Sequence, residues 1–95
     1  MELEFSGEIW FWKGPSPHWF VTVPEAESRE LEAMAGLVTY GWGVVPATVE
    51  IGETRFTTSL IPTDGHYLVP IKVVVRQAER LSLGQVVGVR LAIAV

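Results

Sequence analysis

Trp10, Trp12, Trp19, Tyr40, Trp42 and Tyr67 give the chain flat aromatic faces with a donor at one end, and Arg76 adds a cation to go beside them. Such a cluster holds a sugar, a nucleobase or a peptide by stacking, while the donors fix its orientation. Trp19, Tyr40, Trp42 and Arg76 form the expected ligand-binding set. The reason lies in Tyr40–Gly43, YGWG, where two glycines flank Trp42 and permit close backbone approach. The same aromatics also suit the ends of a small barrel's core, and YGWG also suits a corner between two halves.

Residues capable of catalysis are sparse. Ser59, Asp64 and His66 lie close in sequence, but no nucleophile elbow surrounds Ser59, and Asp64 stands in TDG, where a turn explains it. His18 and His66 are the only histidines and there is no cysteine, so a metal would have to draw both imidazoles together with carboxylates. No catalytic residue, metal site or cofactor is expected. A non-enzymatic domain follows.

Charge raises a second reading. Lys72, Arg76 and Arg80 are spaced four apart, which places them on one side of a helix, and Arg55 and Arg90 add to the supply of cations for phosphate or another anion. The net charge of −4 disfavours nucleic acid, yet it is unevenly spread. Residues 1–52 hold eight acids against Lys13 and Arg29, and residues 53–95 hold five bases against three acids. Pairing between the two halves is the simpler use of those bases. Glu25, Glu27, Glu30 and Glu32 read as a solvated helix face.

Ninety-five residues, 48% of them hydrophobic, suit one domain with a real core. The absence of cysteine fits a reducing cytoplasm. The apolar runs are short, and the start MELEFSGEIW lacks the basic opening of a secretory signal, so neither membrane spanning nor export is expected.

Period-two alternation over Leu3–Trp12 predicts a strand with Leu3, Phe5, Gly7, Ile9 and Phe11 inward and Trp10 and Trp12 outward. KGPSP turns the chain into a second strand, His18–Val23. Pro24 then opens a helix over about 25–35, burying Leu31, Met34, Ala35 and Val38 and ending at Gly36. Val44–Ile51 is a strand facing Val45, Ala47, Val49 and Ile51 inward, with Pro46 marking an edge or a bulge. Gly52-Glu53 makes a type II′ hairpin turn. Thr54–Ile61 returns with Phe56, Thr58 and Leu60 on one face; TDG turns into Tyr67–Val69, and Pro70 closes that strand. A short helix over about 71–78 presents Val74, Ala78 and Leu81, and the final strand points Val87, Val89, Leu91, Ile93 and Val95 inward.

The same order thus occurs twice, in residues 1–52 and 53–95, with HWFVTVP lying against HYLVP. Neither half can cover both faces of a sheet, so the two should close about a pseudo-twofold axis. The expected fold is mainly β: a small closed or split six-stranded β-barrel with two short helices. The Pro-led helix with Arg followed by LSLGQVVGV resembles AbrB-type swapped-hairpin domains. Through FVTVP, YGWGVVP, TTSLIP and YLVPIKVVVR, nearly the whole chain resembles a small bacterial domain-of-unknown-function family with a double-split β-barrel, sometimes joined to a YdeI/OmpD-associated domain. That resemblance implies the fold and no activity. The expected function is a binding or interaction module for a small ligand or protein partner, monomeric or dimeric. The alternative is an AbrB-like DNA binder using Arg55, Lys72, Arg76 and Arg80.

Overall fold

The computed structural model describes residues 1–15, 18–38 and 43–94, and all side chains among them except those of residues 35–38. These residues form β1 (Glu2–Trp12), β2 (His18–Thr22), α1 (Glu25–Val38), β3 (Val45–Ile51), β4 (Thr54–Thr63), β5 (His66–Ile71), α2 (Val73–Ala78) and β6 (Val86–Ala92). The strands close into one antiparallel barrel in the order β1-β2-β5-β4-β3-β6, the six-stranded fold with two short helices that the alternation predicts.

The two long strands make closure possible. β1 pairs with β6 over Glu2–Glu8 and with β2 over Ile9–Trp12. β4 likewise pairs with β3 over Thr54–Leu60 and with β5 over Ile61–Thr63. Each long strand therefore belongs to two sheets and bends between them. Gly7 stands just before the β1 changeover, where a Cβ would meet Val21 Cγ1 at 2.6 Å, so the bend lets the Val21 side chain close over the strand.

Strand order and register are symmetric under exchange of the two halves. With His66 laid on His18, the pairings put Phe56 on Phe5 and Val89 on Val49, and continuing the register puts Leu60 on Ile9 and Val69 on Val21. Ile9, Val21, Val49, Leu60, Val69 and Leu91 are buried almost completely in one core. Each such side chain contributes about 1.5–3 kcal/mol through burial.

All three strand prolines sit where a neighbour has ended or diverged, Pro62 of β4 pairing with Tyr67 of β5 beyond the Leu60 limit of β3. Pro46 pairs with Ser59 of β4, beyond the Thr48–Ala92 limit of β6. Pro70 pairs with Phe20 of β2, beyond the point at which β4 leaves β5. Each proline's missing donor is thus spared by the split. This is why β5 runs on to Ile71 instead of closing at Pro70.

Other expectations are corrected. α1 continues to Val38, so Gly36 lies inside it; the cost of about 1 kcal/mol for a helical glycine does not stop the helix. Ala35 and Val38, expected in its buried stripe, have side chains outside the described set, and so does Val95. Phe11 has the inward parity of Ile9 but is 41% exposed, because β1 there outruns β6, whose pairing begins at Glu8. α2 starts at Val73, and its buried residue is Val75, while Val74 is 67% exposed and Ala78 is also exposed. Six residues make too little helix for a stripe, and the one inward position follows from where β5 delivers the chain.

The turns follow their residues. Gly52 alone takes positive φ (60°) at the β3–β4 turn, as type II′ requires. Asp64 (47°) and Gly65 (80°) both do so at the β4–β5 turn, the type I′ pattern.

Candidate functional site

Trp19 lies on the inward face of β2, directly between Phe11 of β1 and Ile71 of β5. At this end of the barrel Ile71 is sealed and Phe11 is open, so the row grades from core to solvent. Ile71 leads within two residues into α2, and α2 brings the Arg76 guanidinium over the Trp19 ring, 4.3 Å from its centroid. Stacking of this kind stabilises by about 0.5–2 kcal/mol. Among the described residues Arg76 Nε, shut off from solvent, has no hydrogen-bond partner, and no carboxylate forms a salt bridge with this guanidinium. A buried donor in that condition marks either strain or a place for a further partner. Trp12 is also open, but it pairs with His18 and has the outward parity of Trp10, opposite to Trp19.

Tyr40 and Trp42, expected beside this pair, lie outside the described residues. Gly43, which follows them, has its Cβ position 3.5 Å from Pro62 Cγ. Pro62 pairs with Tyr67, at the opposite end of β5 from the Trp19–Ile71 row.

The expected basic stripe does not form. Lys72 is the N-cap of α2, and its ammonium donates to the Thr57 carbonyl at 2.7 Å. Arg80 lies beyond the helix with φ 53°. There it occupies the left-handed residue of a Schellman ending, in which Leu81 N–H donates to Arg76 O and Arg80 N–H to Gln77 O. Arg55 reaches Glu50 Oε1 at 3.3 Å on the barrel wall. With only six residues in the helix, four-residue spacing cannot keep Lys72, Arg76 and Arg80 on one side.

The histidines and the hydrolytic candidates are also separated. His18 faces outward, its ring 5.3 Å from Phe20, and its buried Nε2 has no hydrogen-bond partner among the described residues. Beside it the Trp10 ring lies tilted at 39° against Phe20, 5.5 Å between centroids, and donates Nε1–H to Thr22 Oγ1 at 2.9 Å. His66 Nδ1 is 3.3 Å from the Asp64 backbone carbonyl, at the β4–β5 turn, whereas Ser59 pairs with Pro46 along the strand. Among the described residues no three potential metal ligands gather. Tyr67, 6% exposed, has a hydroxyl pKa above the ordinary phenol range, chiefly through burial and further through the charge of Glu32.

The sequence reading missed one polar arrangement. Glu4, Arg90, Glu50 and Arg55 stand side by side across β1, β6, β3 and β4 on the outer wall. Arg90 Nε donates to Glu4 Oε1 at 2.8 Å. Its pKa is raised by that hydrogen bond first, then by the charges of Glu4 and Glu50. Two shallow depressions of about 440 and 280 Å³ meet at Glu50 and Arg90. A third of about 180 Å³ continues past Thr48 and Ala92. Opposite charge in the two halves was the available signal; register decides which residues meet.

Comparison with curated proteins gives no match. The family model that matches describes a domain of unknown function, DUF1905, and spans residues 5–91, from β1 into β6; the chain belongs to that family.

Proposed function

We propose that this domain is a non-catalytic binding module whose ligand is a small anion with an aromatic or apolar body, taken at the Trp19–Arg76 corner. The observation that carries this reading is Arg76 itself. It is stacked on Trp19 with a buried Nε that has no partner among the described residues, whereas Arg29, Arg55 and Arg90 each meet a glutamate. A carboxylate or phosphate oxygen on the open side of the guanidinium supplies the missing countercharge in partly dry surroundings, where a charge-assisted bond is strong. The open ring of Phe11, paired with Trp19 on the same face, offers apolar surface for the rest of the molecule. DNA binding through Arg55, Lys72 and Arg80 draws less support, since Arg55 is answered by Glu50 and Lys72 by the Thr57 carbonyl.

Calorimetric titration with indole-3-acetate and with its neutral amide tests the reading. The acid is expected to bind at least about tenfold more tightly than the amide, and Arg76→Met to erase that difference. Equal affinity for acid and amide in the wild-type protein, or an unchanged preference in Arg76→Met, would contradict it.

A further inference from the structure

The charged row on the outer wall has an order that internal pairing alone does not use. Across β1, β6, β3 and β4 it reads Glu4, Arg90, Glu50, Arg55, so the sign alternates and the two ends are opposite. Its origin is the exchange symmetry of the halves, which carries the Glu4–Arg90 pair onto the Arg55–Glu50 pair with the charges reversed. Around the row the wall is low. Ser6 and Gly88 lie on one side of it, and Ala92, Thr48 and Thr57 on the other, so the three depressions form one trough along the β3–β6 seam.

We propose that this wall docks a second copy of the chain, face to face, about a twofold axis running along the β3–β6 seam. That axis reverses the row. Glu4 then faces the other copy's Arg55, and Arg90 faces its Glu50, so all four positions meet an opposite charge. A twofold axis along the row instead sets each charge against its like. Sign order thus selects one face-to-face orientation and excludes the other. The neighbouring row obeys the same rule without conflict, since Glu2 comes opposite Thr57 and Ala92 opposite Thr48. Small side chains over the seam let two sheets approach to about the 10 Å separation of packed sheets. The internal salt bridges persist on docking and become parts of larger networks. This wall lies on different strand segments from the Trp19–Arg76 corner, and the two proposals stand or fall separately.

Sedimentation of Glu4→Arg, Arg55→Glu and their equimolar mixture tests it. The wild-type protein is expected to dimerise reversibly and to dissociate as salt is added. Each variant alone places like charges opposite one another twice, and its dimer is expected to weaken at least about tenfold. Mixed, the two variants restore opposite charges at both places and are expected to form a one-to-one heterodimer. Ala92→Trp, which fills the trough and leaves every charge in place, is expected to abolish the dimer, with circular dichroism confirming the barrel. A wild-type protein that stays monomeric, single variants that dimerise as it does, or a mixture no more associated than its components would overturn the proposal.

Discussion

Arg76 and Arg90 carry the same group in opposite settings. Arg90 is exposed and bracketed by carboxylates that raise its pKa, so its charge is already answered. Arg76 lies on Trp19 without an acidic partner among the described residues. The sequence pointed to Trp19 as one of several large aromatics and to Arg76 as the cation beside them, converging on the YGWG corner, whose Tyr40 and Trp42 lie outside the described residues. It could not pair Arg90 with Glu4, since that contact joins opposite ends of the chain and depends on strand register. Tyr67 shows how burial adds to charge. Its raised pKa means that the folded protein holds the phenol proton to higher pH than the unfolded chain, whose reference value is 10.0. The resulting stabilisation is complete below that pH and is lost as pH rises through the higher folded value. Chemical denaturation of Tyr67→Phe is expected to show a shallower fall in stability above about pH 10 than the wild-type protein.

At the scale of elements, strand faces were legible and helix ends only half so: α1 starts at Glu25 and α2 ends at Ala78 as expected, but α1 runs past Gly36 to Val38 and α2 begins at Val73. Alternation marks Val45, Ala47, Val49 and Ile51 as inward, and all four are buried, because a closed barrel has one inside and a period of two fixes who faces it. α2 eluded the same logic, since a six-residue helix shows less than two turns of periodicity. Phe11 was assigned the right parity and the wrong burial, because β6 ends before reaching it. Ser28 gave no signal at all. It is 1% exposed, donates its hydroxyl to Val23 O at 2.9 Å and accepts Tyr67 N–H at 3.2 Å. One hydroxyl therefore joins the end of β2, the first turns of α1 and the start of β5. Ser28→Ala leaves those two backbone groups short of a partner, and is expected to lower unfolding stability by about 1–3 kcal/mol in urea.

At the scale of the whole molecule, a barrel built from two like halves has spare surface of two kinds. Sheet walls inherit the halves' opposite charge, and the row of Glu4, Arg90, Glu50 and Arg55 is the result. The end near Trp19 inherits a difference between them. Arg29 and Arg76 follow their helix prolines at similar distances, yet Arg29 pairs with Glu25 on the α1 surface while Arg76 turns onto an aromatic ring. The repeated sequence pattern revealed the halves, and it took the folded chain to show where they diverge. Binding at the divergent corner is tested most directly by nitrogen-15 correlation spectra that resolve indole and arginine side-chain N–H groups during titration with indole-3-acetate. A ligand at this site predicts saturable shifts of the Trp19 indole and Arg76 Nε–H signals, with the backbone of Phe11 following and Glu4, Glu50 and Arg90 unmoved. Shifts confined to other parts of the barrel, or none at the Trp19 and Arg76 signals at saturating ligand, would contradict it.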